Sequence, residues 1–273
     1  MRLFVFGLGY AARAVVDAAG APFLATTRDG RDATIRFDDE DAVLAGLAAS
    51  THVLSSVPPD DTGDPVLRRY EAAIAGRWLG YLSSTGVYGD TGGAWVDESA
   101  AADRGRRPLR NVADAAWCSL GARVFRLPGI YGPGRSPLNR VAGGEAHRTG
   151  IAGQVFSRVH VDDLARGVIG GFDAPAGAYN LSDDEPAAQD AVVGYAAQLL
   201  GVAPPPIVPL EQLSPAARGF HAENRRVANG KAKRVLHWRP RYLDYRAGLR
   251  ALSATTSPTA ASAAPAAASV VQR

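Results

Sequence analysis

Six residues near the start of the chain, Gly7-Leu8-Gly9-Tyr10-Ala11-Ala12, have the spacing G-x-G-x-x-A. These types at this spacing suit phosphate binding. The first Gly permits a tight turn, the second lets backbone approach a pyrophosphate, and the small residue at the end lets a helix pack closely on a strand. The N-terminus of that helix then offers free N–H groups and a positive dipole end. Leu3–Phe6 is an apolar β run before the loop, and Ala11–Ala19 reads as a helix of small residues after it, which is the context the motif requires. A bound dinucleotide is the expectation, with a plain structural turn as the alternative.

The next strand bears on which dinucleotide. A carboxylate at its end would hydrogen-bond the adenosine ribose and disfavour a 2′-phosphate. Here the strand ends Ala25-Thr26-Thr27-Arg28, two hydroxyls and a guanidinium, and arginine pairs well with phosphate. NADP(H) is therefore preferred, while NAD(H) stays open through a contact of Asp29 with the ribose. Asp38, just past the third strand, is a candidate for the adenine edge. Ser55, Ser56 and Val57, at the end of the fourth, are candidates for the nicotinamide side.

The elements that must position these groups alternate. Strand-like runs at Leu3–Phe6, Pro22–Ala25, Arg36-Phe37, His52–Val57, Leu79–Ser83 and Arg123–Leu127 are separated by helical patterns at Ala11–Ala19, Leu67–Ala75 and Asn111–Leu120. That alternation predicts an α/β fold, a Rossmann-type doubly wound parallel sheet. Beyond Gly129 the pattern loosens into short strands at Val159–Val161 and Ala178–Leu181, with helices at Asp162–Gly170, Gln189–Leu200, Pro215–His221 and Tyr245–Leu252. We read a nucleotide-binding core over about residues 1–150 and a small C-terminal substrate lobe built mainly from 151–252. An Ala/Ser/Thr/Pro tail over 253–273 is expected to be disordered.

Composition narrows the class. The 273 residues are 47% apolar and 21% charged, enough apolar surface to exclude a wholly disordered chain. A net charge of +3 with interspersed signs argues against nucleic acid. No apolar run is long enough for a membrane span. The single cysteine, Cys118, excludes an internal disulfide and makes a cytoplasmic setting the default. His52, His147 and His237 lack metal-ligand spacing, so no metal is assigned. The 30 basic residues include two lysines, Lys231 and Lys233; all the others are arginine.

Several ordered segments carry a resemblance. Leu82-Ser83-Ser84-Thr85-Gly86-Val87-Tyr88-Gly89-Asp90 resembles the fifth-strand motif of the extended short-chain dehydrogenases/reductases, the NAD-dependent epimerase/dehydratase family. Arg126-Leu127-Pro128-Gly129-Ile130-Tyr131-Gly132-Pro133-Gly134 resembles the family's sixth-strand signature. Val159-His160-Val161-Asp162-Asp163-Leu164-Ala165, Tyr179-Asn180-Leu181 and Leu236-His237-Trp238-Arg239-Pro240 with Gly248-Leu249 resemble its later landmarks. The resemblance covers residues 1 to about 252. It implies a nicotinamide cofactor touched by Gly7, Gly9, Tyr10, Ala11, Ala12 and Pro128. It also implies a small-molecule substrate, of which a sugar nucleotide is one class, and it admits a homodimer.

It further implies a catalytic Ser/Thr and a Tyr with Lys four residues later, the Tyr moving a proton at the substrate oxygen. The hydroxyls carry over to Ser84 and Thr85. The Tyr–Lys pair does not, since no Tyr here has Lys at that spacing. Aligned on Asp114, Arg110 stands at the Lys position and Arg106 at the Tyr position, so the chain resembles an atypical member. Arg110 offers a fixed cation but is a poor proton donor. Hydride transfer at an alcohol carbon needs a paired proton transfer, for which Tyr88, Tyr131, His160 and a bound water are the candidates. Arg225 and Arg226 are candidates for an anionic substrate group. Two functions are open: an NAD(P)-dependent oxidoreductase or epimerase/dehydratase acting on a hydroxyl or carbonyl compound, and a non-catalytic protein of the same fold that senses NADP(H) or a metabolite.

Overall fold

The strand before the glycine loop, β1 (Leu3–Phe6), is buried throughout, and its side chains divide between two cores as the pleat requires. Leu3 and Val5 enter one cluster, and Phe4 and Phe6 enter another on the opposite face. In the computed structural model, which describes residues 1–256, the chain continues through α1 (Tyr10–Ala19), β2 (Phe23–Thr27), β3 (Ile35–Arg36), α2 (Glu40–Ala48), β4 (His52–Ser55) and α3 (Pro65–Ile74). Then come β5 (Trp78–Ser84), β6 (Trp95–Val96), α4 (Pro108–Ser119), β7 (Arg123–Leu127), β8 (Gly129–Tyr131), α5 (Pro137–Ala142) and β9 (Arg158–His160). The last elements are α6 (Val161–Gly170), β10 (Gly177–Asn180), α7 (Gln189–Leu200), α8 (Pro215–His221), β11 (Arg226–Val227), α9 (Gly230–Val235) and α10 (Tyr245–Thr256).

Seven strands form one sheet in the order β10-β7-β5-β4-β1-β2-β3, every neighbouring pair parallel. This is the doubly wound arrangement that the alternation predicts. Val15 and Val16 of α1 and Leu164 and Val168 of α6 cover one face; Leu47 of α2, Tyr70 of α3 and Trp117 of α4 cover the other. The chain leaves β1 towards β2 and later returns to β4 on its other side. Ligands of open α/β sheets bind beyond the strand ends at such a reversal.

Local chemistry sets the helix starts. The Asp39 carboxylate accepts from the Ala42 N–H at 3.1 Å and caps α2. Asp64 accepts from the Val66 N–H at 2.9 Å and from the Trp117 indole at 2.8 Å, so one carboxylate caps α3 and ties α4 to it. Pro108 opens α4, the first-turn position where a missing N–H costs nothing.

The C-terminal lobe gathers α5, α7 and α10 around Leu138, Val192, Ala196 and Leu249. Its boundary differs from a cut near residue 150. The strand β10 pairs with β7 in the main sheet, and α6 packs on α1 within the first core. These elements are short, and the sheet edge they complete lies far from them in sequence. The helix α10 runs to Thr256, past Ser253, where the tail is expected to begin; residues 257–273 lie outside the described residues. No helix among the described residues is long and apolar enough to cross a membrane.

Candidate active site

The glycine loop has the backbone that its spacing predicts. Gly7 sits at φ +81°, and a Cβ there would lie 3.0 Å from Val57 Cγ2 and 3.2 Å from Ser56 Oγ. Gly9 caps α1 with φ −87° and ψ −173°, angles open to any residue, and a Cβ there would meet nothing within 4 Å. The space above Gly9 is thus a cradle that a side chain would fill. Ala12 is fully buried against the sheet. The Gly7 N–H donates to Thr26 Oγ1 at 3.2 Å and the Leu8 N–H to the Thr26 carbonyl at 3.0 Å. A dinucleotide pyrophosphate fits this loop, with Gly9, Tyr10 and Ala11 supplying the helix N-terminus.

Several residues expected at the cofactor hold the loop itself. The Ser56 hydroxyl donates to the Gly7 carbonyl. Ser55 is fully buried, and its oxygen accepts from the Val57 N–H at 3.4 Å. The Tyr10 hydroxyl donates to the Pro133 carbonyl at 3.1 Å, tying α1 to the loop after β8. Asp38 is clamped by the Arg36 fork at 3.0 and 2.8 Å, and those bonds hold its carboxyl below the usual range. Its side chain is already bound to Arg36. Thr27 Oγ1 donates to Asp29 at 3.2 Å. Arg28 is exposed and makes no side-chain hydrogen bond or ion pair within the described residues.

Next to the C-terminal ends of β5 and β7 lies a cavity of about 900 Å³. Ser84, Thr85, Arg110, Pro128 and Tyr131 all reach its wall. Ser84 caps the turn Thr85–Tyr88, its oxygen accepting from the Gly86 N–H at 3.1 Å. Its hydroxyl proton remains available to a ligand. Arginines outnumber acids here: Arg106, Arg107, Arg110, Arg135, Arg140, Arg158 and Arg225 stand against Glu145 and Glu223.

Tyr88 is not on that wall. Its ring is buried, its hydroxyl donates to Asn180 Oδ1 at 2.8 Å, and it accepts from Arg126 Nη1 at 3.0 Å. Arg126 in turn grips Asp114 at 3.1 and 2.7 Å, and Ser83 donates to Asp114 at 2.6 Å. The Tyr88 hydroxyl is spent inside a closed network, and burial raises its pKa. It is a structural tyrosine, which corrects its candidacy as proton donor.

The pairing of Arg106 with Arg110 also needs correcting. Because α4 begins at Pro108, Arg106 lies outside the helix and does not share a face with Arg110 as residues four apart on one helix would. The Arg106 guanidinium instead binds Glu223 at 2.9 Å, whereas Arg110 donates to the buried Tyr81 hydroxyl at 2.9 Å. Burial pushes Tyr81 up to about 12, so this phenol stays protonated.

Arg225 reaches the cavity but already donates to Glu223 and to the Gly89 carbonyl, at 2.8 and 2.7 Å. Arg226 lies in β11, and its guanidinium donates to the Gly93 carbonyl, off the cavity wall. Arg226 belongs to a small parallel ribbon, β6 with β11, and Arg225 directly precedes it, a ribbon too short to be legible in the sequence. His160 is buried behind the wall. Its Nδ1 accepts from the Asp162 N–H at 3.2 Å, and burial holds its pKa down, so the ring is neutral.

Sequence reasoning missed four groups on the wall. Arg158 is buried. Gln189 accepts from it at 2.9 Å. Glu223 pairs two arginines. Asn111 has a buried Oδ1 with no partner among the described residues. For Arg158 a signal existed, a charge inside the apolar β run Arg158-Val159-His160-Val161. Glu223 and Gln189 carry no such mark.

Comparison with known proteins sets this geometry in context. No family model matches the chain. A functionally unknown conserved protein from Silicibacter pomeroyi DSS is 39% identical over 93% of this chain and 98% of its own, with a TM-score of 0.85. The chain shares a family with that protein, and its fold is that of the NAD-dependent epimerase/dehydratase family. The human epimerase family protein SDR39U1, solved with NADPH, has a TM-score of 0.74 at 15% identity over 93% of this chain and 100% of its own. A UDP-glucose 4-epimerase from Thermus thermophilus, solved with NAD, has a TM-score of 0.70 at 19% identity over 92% and 97%. A 3-diazoavenalumate denitrifying reductase from Streptomyces is 32% identical over 158 residues; the match spans 52% of this chain and 51% of that reductase.

Proposed function

We propose that the chain is an NAD(P)-dependent oxidoreductase or epimerase/dehydratase-like enzyme that acts on a hydroxyl or carbonyl compound. The observation that carries this reading is the open cradle above Gly9 at the strand reversal, with a large cavity beyond the neighbouring strand ends. The relatives solved with NADPH or NAD support the cofactor class, and a reductase among the relatives supports the reaction class. The nicotinamide, when bound, supplies or accepts the hydride. Ser84 and Thr85 orient the substrate oxygen, and Arg110 holds positive charge near it. Sugar nucleotides are one substrate class, as for the structural relative MoeE5, solved in complex with UDP-glucose and NAD.

Preference for NADP(H) rests on Arg28, exposed and unengaged at the end of β2, with Arg36 on the adjacent strand. Arg28→Ala should weaken NADPH about tenfold and leave NADH nearly unchanged, as expected when one charge-assisted contact to phosphate is lost. Equal affinities of the wild type for the two cofactors refute the preference. Turnover is tested by NADPH absorbance against a panel of carbonyl compounds and sugar nucleotides, where Ser84→Ala should lower any rate by about 10²-fold.

A second reading is a non-catalytic sensor of the same cofactor. The observation favouring it is the replacement of the Tyr–Lys pair by arginines that are not on one helix. Tight NADPH binding without turnover across the panel selects it.

A further inference from the structure

Arg158 stands out among the charged groups of the cavity. It is 7% exposed, yet within the described residues it makes no ion pair. Its Nη1 donates to the carbonyls of Phe156 and Ala187 at 2.8 and 2.9 Å, and its Nη2 to Gln189 Oε1 at 2.9 Å. All three acceptors are neutral. The Nε–H and one Nη2–H have no protein partner among those residues, and together they offer a donor fork suited to a planar oxyanion. Asp183, the nearest acid to influence it, is itself buried, and neither of its oxygens has a hydrogen-bond partner. Burial drives that carboxyl well above its usual range and brings Arg158 down to about 10. The two groups act on each other through space without forming an ion pair.

Tyr131 on β8 borders the cavity, but its hydroxyl is buried against Gly248 of α10 and does not reach into it. Unused donors on a buried cation are costly in a protein interior, and an anion relieves that cost. Near Arg158 on the wall, Phe156 and Phe220 stack at 4.6 Å and 10°, a flat apolar surface.

The geometry points to a carboxylate-binding subsite formed by Arg158, with the Phe156–Phe220 pair holding the planar body of an aromatic carboxylate substrate. The subsite rests on the reading of the cavity as the substrate half of a nicotinamide site.

The test titrates the NADPH-saturated protein with benzoate and, separately, with inorganic pyrophosphate by calorimetry. Benzoate should bind. Arg158→Met should weaken it by at least about tenfold, the loss of one buried charge-assisted pair. Arg158→Lys, which keeps the charge but loses the donor fork, should weaken it about threefold to fivefold, the loss of one of two parallel hydrogen bonds. NADPH affinity should not move in either variant. Should Arg158→Met fail to fold, Arg158→Lys still decides, because it keeps a cation at the buried position and removes only the paired donors. Three results overturn the subsite while leaving the cofactor reading intact: no benzoate binding to protein that binds NADPH, benzoate binding indifferent to both variants, or Arg158-dependent binding of pyrophosphate alone. Failure to bind NADPH overturns the nicotinamide reading on which the subsite rests.

Discussion

Substituting Ala for Gly9 separates the cofactor role of the loop from its folding role. The backbone at Gly9 lies in a region open to L-residues, and the added methyl meets no atom within 4 Å. Losing Gly freedom in the unfolded chain stabilises by about 0.4–1 kcal/mol. Replacing Gly by Ala at a helix N-cap costs a similar amount. The two nearly cancel, so unfolding free energy should move by less than about 0.5 kcal/mol. The methyl nonetheless occupies the space through which a pyrophosphate must approach. Displacing one tight backbone contact should cost about 1.4–2.7 kcal/mol, or tenfold to a hundredfold in Kd. Gly7→Ala is the contrasting control. A left-handed φ of +81° and a Cβ 3.0 Å from Val57 Cγ2 should destabilise the fold by about 1–3 kcal/mol. The assays are urea unfolding and NADPH fluorescence titration on both variants. A Gly9→Ala protein that binds NADPH as tightly as the wild type refutes the cradle; one that unfolds refutes the open space above Gly9.

Four other outcomes are expected. Tyr88→Phe should lose about 1–2 kcal/mol, because Arg126 and Asn180 each lose a buried partner, and leave NADPH affinity unchanged; Asp114→Ala, stranding the buried Arg126 charge, should lose about 3–5 kcal/mol. Asp183→Asn should match the wild type below about pH 3, where the carboxyl is protonated in both folded and unfolded chains. It should then gain on the wild type by about 1.4 kcal/mol per unit as pH rises towards the raised folded-state pKa, because only the unfolded wild-type chain has released its proton; urea titrations from pH 4 to 7 that show a flat difference contradict it. The double variant Arg106→Tyr with Arg110→Lys should not raise any turnover seen in the wild type, and a rise of tenfold or more would mean that the two positions share a helical face after all.

The sequence made the sheet and the glycine loop legible because both rest on local signals. Buried parallel strands read as apolar runs, and the loop needs small residues at fixed spacing. The carboxylate cap at Asp39 and the position of Ser84 at the strand end follow from the same local rules. Tyr88 was not legible. Its motif places it beside Ser84, but the fate of its hydroxyl is set by Arg126 and Asn180, which come from β7 and β10. Ser55 and Ser56 misled for a related reason: short hydroxyls at a strand end serve the neighbouring backbone as readily as a ligand. The cationic wall was the least legible part, since Arg106, Arg158 and Arg225 converge only after β8, β9 and β11 form, and those strands have two or three residues each.

The absence of lysine before Lys231 takes its meaning from this placement. An arginine-rich composition alone allows the reading that Arg110 simply replaces a lysine on an otherwise preserved helix. The late start of α4 at Pro108 argues against simple replacement, because the backbone that would carry a tyrosine four residues earlier is not helical, and Arg106 is drawn across to Glu223. The cofactor cradle above Gly9 is built by β1, α1 and Thr26, none of which touches that segment, so it can persist while the neighbouring chemistry diverges. Arg106 and Arg225 share the one carboxylate of Glu223, whereas Arg158 forms no ion pair among the described residues and lies deeper. Selectivity in such a cavity would come from the unpaired buried cation more than from the sum of arginines around its mouth, because a charge held away from water discriminates between ligands far more strongly than a screened one at the surface.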